Sequence, residues 1–295
     1  MQPLIKIDIP EVKKLYSGKV RDLFPIDEEH MLIVSTDRIS AFDYIFPNAI
    51  PGKGIVLNSI SNLWFKNIDF IPNHIVESNY NNFPRPYSDY PELFKDRSVI
   101  VKKTKRIDFE CVARGFIIGG GWKEYCEKGE ISGISLPGGL VIAQEFEKPI
   151  FTPATKEDHG HDMNISFSEM AKSVGEKDAG FLREATIQVY QYGKNIMEKA
   201  GIILADTKME FGYLNNKIIL IDELMTPDSS RFWDLNLYKP GESPVSFDKQ
   251  YIRDYLDKTS WDKNSPPPPL PEDIVAGTYE KYQEILVKIE KLLSK

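Results

Sequence analysis

The stretch Leu204–Arg231, LADTKMEFGYLNNKIILIDELMTPDSSR, decides the predicted fold of this chain. Its first half places Asp206, Lys208 and Glu210 two positions apart. Because successive side chains of a β-strand point to opposite faces, these three side chains share one face of a predicted strand. The stretch therefore predicts a strand that presents two carboxylates and an ammonium together, which is more charge than a solvated hairpin needs.

The second half of the stretch predicts the return strand of a β-hairpin, with Asn215-Asn216 at the turn because asparagine tolerates a positive φ. The length of the loop decides whether Glu210 and Asp222 share a face. An odd loop centred on Asn216 puts them together, and a two-residue loop puts them on opposite faces. We predict the odd loop and a Mg²⁺ site at the two carboxylates, since facing carboxylates repel without a cation. A surface hairpin with scattered charges is the alternative.

The composition narrows the class of protein. The chain has 295 residues, of which 41% are hydrophobic, enough for one compact unit of two lobes or for two domains. A net charge of −7 argues against a general nucleic-acid binder, so an anionic ligand must meet a local basic cluster. We expect no secretory leader and no membrane span, because the apolar segments are too short. Cys111 and Cys126 lack a metal-ligand spacing, which predicts a reduced, cytoplasmic protein.

The stretch Leu15–Asp22, LYSGKVRD, predicts two short strands joined by a turn at Gly18. A glycine lets the backbone approach a ligand closely, and Lys19 and Arg21 lie on one side as a phosphate-binding pair would. The spacing is not that of a Walker A loop. An ordinary hairpin is the alternative interpretation.

Further polar clusters follow apolar strands. The segment DRISAFD comes directly after the apolar run His30–Thr36, where binding sites gather, although a capped turn is the alternative. In FECVARG, Glu110 and Arg114 share a strand face and form either a structural ion pair or a grip on a polar substrate. The glycines Gly119–Gly121 lack the dinucleotide-binding spacing and predict a close backbone approach before a helix.

The most polar stretch is FTPATKEDHGHDMN, in which His159 and His161 are two positions apart. A metal would need a third nitrogen or sulfur ligand, and none is obvious in a chain with four histidines, so we favour a loop that contacts a substrate or another loop. Apolar residues at helical spacing predict amphipathic helices over Asp178–Ala200 and Glu272–Lys295.

Seven motifs together resemble one enzyme family. They are SGKVRD, STDRISAFD, FECVARG, GWKEY, ATKEDHGHD, LADTKMEFG and IDELMTPDSSRFW. In this order they are similar to the phosphoribosylaminoimidazole-succinocarboxamide synthases of purine biosynthesis, over nearly the whole chain. The sequence departs from the family pattern at Asp108, where proline is usual, at Ala205, where a larger aliphatic is usual, and at Gly120, where serine is common.

The resemblance implies an α+β fold with two lobes. An antiparallel β lobe over residues 1–105, similar to a protein-kinase small lobe, carries the phosphate-binding loop. A larger α/β lobe over residues 106–295 carries the ribonucleotide site and the C-terminal helices, and ATP lies in the cleft between the lobes.

The resemblance also implies the reaction. An ATP-dependent carbon–nitrogen ligase joins L-aspartate to carboxyaminoimidazole ribonucleotide through an acyl phosphate. The implied partners are small molecules, with no nucleic acid or membrane, and the protein is a monomer or homodimer. A kinase-like phosphotransferase and a nucleotide-binding module without catalysis are the rival interpretations.

The family's roles, carried to the matching positions, divide the predicted site residues into three groups. The predicted catalytic residues are Asp206, the acceptor of a proton from the attacking amine, with Lys208 and Arg231. The predicted ATP-binding residues are Gly18, Lys19, Arg21, Lys103, Glu210 and Asp222, of which the last two are also the predicted Mg²⁺ ligands. The predicted substrate-binding residues are Arg38, Ser40, Glu110, Arg114, Lys123, His161 and Asp162.

Overall fold

The computed structural model describes residues 2–156 and 163–294. The strands are β1 Tyr16–Ser17, β2 Arg21–Pro25, β3 His30–Ser35, β4 Ser40–Ala41, β5 Tyr44–Ile45, β6 Ile75–Glu77, β7 Ser98–Lys102, β8 Lys105–Arg106, β9 Phe109–Phe116, β10 Glu130–Ile131, β11 Ile134–Ser135, β12 Glu145–Phe151, β13 Ala154–Thr155, β14 Ile202–Leu214, β15 Lys217–Ile221 and β16 Ser230–Asp234. The α-helices are α1 Lys53–Asn67, α2 Pro91–Phe94, α3 Gly119–Lys128, α4 Phe167–Val174, α5 Glu176–Glu198, α6 Gln250–Leu256 and α7 Glu272–Leu293. In the described part of the chain, no helix is both long and apolar enough to cross a membrane.

The chain divides into two compact units. Unit 1 comprises Met1–Thr104, Thr226–Asp228 and Phe247–Lys295, and unit 2 comprises Lys105–Met225 and Ser229–Ser246. This grouping differs from the sequence-based division into 1–105 and 106–295. The physical reason is that α7 packs against α1, so the C-terminal helices belong with unit 1.

Unit 1 is built on an antiparallel sheet of five strands in the order β1-β2-β3-β7-β6. The strands β3 and β7 are nearly continuous apolar runs, and their side chains are buried on both faces. The predicted turn in LYSGKVRD is present, because Ser17 pairs with Asp22 across β1 and β2. The antiparallel N-terminal sheet that the family resemblance implied is therefore confirmed.

The short segment Thr226–Asp228 is held in unit 1 by a buried charged cluster. The Asp228 carboxylate lies 2.7 Å from Lys53 Nζ and 3.1 Å from Lys249 Nζ, and it accepts a hydrogen bond of 2.9 Å from the Tyr282 hydroxyl. Burial would raise the pKa of Asp228, but the two ammonium groups outweigh burial and hold it well below its usual range. No sequence motif predicts this cluster, because its members lie far apart in the chain.

Unit 2 is organised around the long strand β14. A seven-stranded antiparallel sheet runs β12-β9-β14-β15, with β13 added to β9 and with β8 and β16 added to β14. The helix α5 covers this sheet, and its Tyr190 hydroxyl donates a 2.9 Å hydrogen bond to the carbonyl of Leu204. A side chain at Gly115 would collide with that hydroxyl, so this glycine permits the close packing of helix on sheet.

A β-bulge shifts the register of β14 against β16. Leu204 pairs with Phe232, whereas Asp206 pairs with Arg231, so Ala205 is an extra residue on the β14 side. Beyond the bulge, the Ser230 hydroxyl donates a 2.8 Å hydrogen bond to the Thr207 hydroxyl, which fixes the new register. The bulge is what brings Arg231 opposite Asp206.

The predicted hairpin exists, but the predicted length of its loop is wrong. Leu214 pairs with Lys217, so the loop is the two residues Asn215 and Asn216, with φ of 49° and 62°. Both residues adopt the left-handed conformation, which gives the two-residue turn whose twist matches the strands. Glu210 consequently pairs with Ile221, one residue before Asp222.

The end of β15 confirms that the two carboxylates do not share a strand face. The strand stops at Ile221, and Asp222 has a positive φ of 67°, so its backbone leaves the sheet there. The expectation that Glu210 and Asp222 face each other depended on an odd loop. The two left-handed asparagines form a two-residue loop instead, so that expectation no longer has support.

The two-residue turn makes a testable prediction about the exposed residue Asn216. We expect Asn216→Ala to lower the free energy of unfolding by about 1 kcal/mol, because alanine resists the left-handed conformation. Asn216→Gly should keep or raise the stability, since glycine accepts a positive φ without strain. Urea unfolding followed by tryptophan fluorescence measures both, and equal stability of the two variants would contradict the turn.

Candidate active site

A buried carboxylate lies between two guanidinium groups at the centre of unit 2. Asp206, only 4% exposed, is directly opposite Arg114 of β9 on one side and Arg231 of β16 on the other. Arg114 Nη1 donates to Asp206 Oδ2 at 2.9 Å, and Arg231 Nη1 donates to the same oxygen. Cross-strand neighbours of opposite charge attract, so the strand order itself assembles this cluster.

One guanidinium group is held by a further hydrogen bond, and the other lies against a glycine. Arg114 Nε donates a 2.9 Å hydrogen bond to the Thr152 hydroxyl, which the sequence analysis did not identify. A side chain at Gly119, where α3 begins with φ of 58°, would lie 2.3 Å from Arg231 Nη2. The prediction of a close approach at the glycine-rich segment is confirmed here, and the approaching group is this side chain.

A second ion pair lies beside the first on the same sheet. Lys208, two residues after Asp206, forms a salt bridge with Glu110, a diagonal neighbour on β9. Burial would lower the pKa of the Lys208 ammonium, but the charge of Glu110 outweighs burial and raises it. The ammonium is therefore a permanent cation at neutral pH, and the predicted common face of Asp206 and Lys208 is confirmed.

A third ion pair involves a residue that the sequence analysis did not single out. Lys156 forms a salt bridge with Glu210, whose carboxylate is buried. The available signal was the position of Lys156 in the polar stretch after β13, but no spacing rule connects it with Glu210. Glu210 is thus already neutralised by a cation from the protein.

The residues at the predicted Mg²⁺ site do not fit a two-carboxylate seat. Glu210 is paired with Lys156, and Asp222 leaves the strand after the position opposite Glu210. Among the described residues, no three side chains of His, Cys, Asp or Glu cluster as metal ligands would. The metal alternative at His159 and His161 lies outside the described residues.

The predicted phosphate-binding residues of unit 1 lie at the turn between β1 and β2. Gly18 N donates to the carbonyl of Arg21 at 2.8 Å, which closes the turn. The Lys19 ammonium, half exposed, forms a salt bridge with Asp43. Arg38 directs its guanidinium at this turn and is bound to protein oxygens.

The other predicted site residues have different surroundings. Ser40 is half-buried in the two-stranded ribbon of β4 and β5, and Lys103 Nζ donates a 2.6 Å hydrogen bond to the carbonyl of Asp27. Lys123 lies exposed on α3. His161 and Asp162 lie outside the described residues, so their predicted contact with a substrate stays a prediction.

The fold and the charged cluster together indicate a class of protein. Antiparallel sheets combined with helices make an α+β fold, and Arg114, Arg231 and Lys208 on one sheet are groups that can bind anionic substrates. The chain belongs to the SAICAR synthetase family, whose sequence model matches residues 14–268.

Individual relatives agree with this assignment. The phosphoribosylaminoimidazole-succinocarboxamide synthase of Thermodesulfovibrio yellowstonii is 50% identical over 283 residues, covering 96% of this chain and 97% of the relative. The corresponding protein of Geobacter sulfurreducens is 49% identical over 288 residues, covering 97% of each chain. Among solved structures, the SAICAR synthase of Saccharomyces cerevisiae complexed with SAICAR is 40% identical, with a TM-score of 0.87 and coverage of 99% and 98%.

The shared carboxylate makes a testable prediction about stability. We expect Asp206→Asn to lower the free energy of unfolding by about 3 kcal/mol, because it removes the counter-charge of a buried guanidinium. The matched control is Asp234→Asn on β16, where the side chain only accepts a 2.8 Å hydrogen bond from Asn236 N. Urea unfolding at neutral pH measures both variants. A loss in Asp206→Asn no larger than in the control would show that the ion pairs do not stabilise unit 2.

Proposed function

We propose that the protein joins L-aspartate to 5-amino-1-(5-phosphoribosyl)imidazole-4-carboxylate, forming the succinocarboxamide SAICAR while ATP becomes ADP and phosphate. As a member of the SAICAR synthetase family, it is an ATP-dependent carbon–nitrogen ligase of purine biosynthesis. The observation that carries our assignment of the reacting groups is Asp206 paired on both sides by guanidinium groups. Neither the kinase-like activity nor the non-catalytic binding module gains support from the family.

The proposed reaction has two steps. A carboxylate oxygen of the ribonucleotide attacks the γ-phosphorus of ATP, the bond to the β-phosphate oxygen breaks, and ADP leaves. The amine nitrogen of L-aspartate then attacks the acyl carbon of the resulting acyl phosphate. Phosphate leaves with the electrons of the carbon–oxygen bond, and the nitrogen loses a proton to form the amide.

The cations of the cluster support anionic substrates there. Arg114, Arg231, Lys208 and Lys156 lie on or beside one sheet. In a protein with a net charge of −7, phosphate and carboxylate groups need such a local group of cations. Guanidinium groups suit this task because their planar fork matches carboxylate and phosphate oxygens.

The proposed roles follow from these contacts. Arg114, Arg231 and Lys208 hold the carboxylate and phosphate oxygens of the ribonucleotide, and Asp206 orients both guanidinium groups. In our proposal Asp206, which lies between the two guanidinium groups, also accepts the proton released by the amine.

The phosphates of ATP are proposed to bind the turn at Gly18, Lys19 and Arg21. Lys103, at the other end of the same sheet beside Asp27, stays a proposed contact of another part of the nucleotide. Mg²⁺ is proposed to arrive with ATP, because this ion takes most of its ligands from phosphate oxygens and water and one or two from carboxylates. Glu210 and Asp222 stay proposed contacts of the nucleotide, without a Mg²⁺ seat between them. Ser40, Lys123, His161 and Asp162 stay proposed contacts of the ribonucleotide or L-aspartate.

The setting of the reaction is also proposed. Cys111 and Cys126 are both free thiols, which fits a reducing compartment such as the cytoplasm. We propose that the protein acts there as a monomer or homodimer.

The substrate requirement separates a ligase from a kinase. We expect sustained ADP release only when ATP, the carboxylated ribonucleotide and L-aspartate are all present, because the acyl phosphate is consumed by the amine. A coupled ADP assay with each substrate left out in turn measures this, and Asp206→Asn purified in parallel controls for contaminating ATPases. Sustained release at the full rate without L-aspartate would overturn the ligase in favour of a phosphotransferase.

The role of Asp206 makes a separate prediction about turnover. We expect Asp206→Asn to lower kcat about 100-fold or more, the usual contribution of a proton-transfer group. The KM for ATP should change less than about twofold, because the proposed ATP contacts lie elsewhere. The control Asp234→Asn should retain normal kcat. Near-normal turnover by folded Asp206→Asn would exclude the role.

A further inference from the structure

Arg38 uses its guanidinium entirely on the protein's own oxygens. Its Nε donates to the carbonyl of Lys19 at 3.1 Å, and its Nη2 donates to the carbonyl of Gly18 at 3.0 Å. Its Nη1 donates to the carbonyl of Ile5 at 2.8 Å. All three guanidinium nitrogens are therefore engaged, which leaves little capacity for the substrate contact that the sequence predicted.

A buried carboxylate fixes the guanidinium in place. Asp22 is fully buried, and its Oδ1 accepts from Arg38 Nη2 at 2.8 Å and from the Ser17 hydroxyl at 2.7 Å. Lys14 Nζ lies 2.5 Å from the other oxygen. Burial would raise the pKa of Asp22, but Arg38, Lys14 and Ser17 together outweigh burial and lower it, so the carboxylate stays charged.

The same segment of the chain binds the next carbonyl as well. The carbonyl of Val20 accepts from Thr36 N at 3.0 Å and from the Thr36 hydroxyl at 2.7 Å. The carbonyl groups of Gly18, Lys19 and Val20 are thus all held by Thr36 and Arg38. Thr36 and Arg38 of the STDR motif act together on the turn.

The geometry of the peptide bond determines where the N–H groups of this turn point. In a planar trans peptide, the C=O and the following N–H point in opposite directions. Because Arg38 holds the carbonyls of Gly18 and Lys19, the N–H groups of Lys19 and Val20 point away from the guanidinium. Two successive N–H groups directed to one side form a surface that attracts anions.

We propose that Arg38 is a positioning residue for the nucleotide: its guanidinium locks the Gly18–Val20 turn so that the backbone N–H groups of Lys19 and Val20 face the phosphates of ATP. This inference rests on the proposed function, in which this turn receives the phosphates. It replaces the predicted substrate contact of Arg38 with an indirect role, carried by the turn.

The proposal depends on the shape of the side chain as well as on its charge. A guanidinium is a rigid fork that reaches three carbonyls and a carboxylate at once, whereas an ammonium is a single point of charge on a flexible stem. Arg38→Lys should therefore weaken ATP binding nearly as much as Arg38→Met. A residue that acted by its charge on a substrate would instead be largely rescued by lysine.

The experiment measures steady-state kinetics and the Kd of ATP by calorimetry for Arg38→Lys and Arg38→Met. We expect both to raise the KM and Kd for ATP about tenfold or more. Each hydrogen bond that a displaced backbone N–H no longer donates to a charged phosphate is worth about one power of ten in affinity. The KM values for the ribonucleotide and L-aspartate should change less than about twofold. Should Arg38→Met not fold, Asp22→Asn replaces it, with a smaller rise in the KM for ATP because Arg38 is then loosened but present.

The matched control is Arg97→Lys in the same unit. Arg97 forms a buried ion pair of 3.1 Å with Asp37 and does not touch the turn. We expect this variant to lower the melting temperature and to leave the Kd of ATP unchanged. An equal loss of ATP binding in this control would show that any loosening of unit 1 has the same effect, and would overturn the proposal.

Two other results would overturn the proposal. Rescue of ATP binding by Arg38→Lys would show that charge alone is required, and a specific rise in the KM for the ribonucleotide would restore the direct substrate contact. A separate variant, Lys19→Met, distinguishes failure of the positioning role of Arg38 from failure of the proposed phosphate site at the turn. If Lys19→Met leaves the Kd of ATP unchanged while Arg38→Lys raises it, the turn is positioned by Arg38 but the phosphate assignment of Lys19 fails.

Discussion

The ion pairs of Asp206 with strands on both sides are the constraint on which unit 2 depends. One carboxylate oxygen accepts from Arg114 and Arg231, so three strands must keep their register for either bond to form. A buried guanidinium without a counter-charge is costly, and the cluster therefore links the stability of the sheet to the arrangement of its cations. The groups assigned to substrate binding are the same groups that hold the strands in place.

Glycines leave the space that the side chains in and around this cluster need. Gly119 leaves room for the guanidinium of Arg231, and Gly115 leaves room for the hydroxyl of Tyr190. A side chain at either position would meet atoms closer than ordinary contact allows. Packing around the cluster thus explains Gly119 in the glycine-rich segment after β9, whereas the space at Gly120 is open.

Strand periodicity and family motifs predicted most of this architecture. The common face of Asp206 and Lys208 depends only on the local alternation of a strand. The family resemblance implied the antiparallel sheet of the N-terminal lobe, but it did not imply that the sheet around β14 is antiparallel as well. The loop length at Asn215-Asn216 was mispredicted because a run of two asparagines permits either an odd loop or a two-residue turn. The difference lies in backbone dihedrals that composition does not determine.

The hydrogen-bond and ion-pair partners of long side chains could not be predicted from the sequence, for a different reason. Arg38 binds mainly carbonyl oxygens, and every residue has a carbonyl, so no pattern of residue types marks its partners. Lys156 reaches Glu210 across a distance in the chain that no spacing rule covers. Such contacts follow from the tertiary path of the backbone, and they decide which charged residues are free for a ligand.

The extra residue in β14 has a consequence for how this family can vary. Ala205 has no partner on β16, so deleting it would leave a regular ladder in which Leu204 still pairs with Phe232 and Asp206 with Arg231. This position should therefore tolerate both an exchange of its side chain and the loss of the residue. A residue lost on either side of the bulge, from the paired positions themselves, would instead shift the ladder by one and move side chains to the other face.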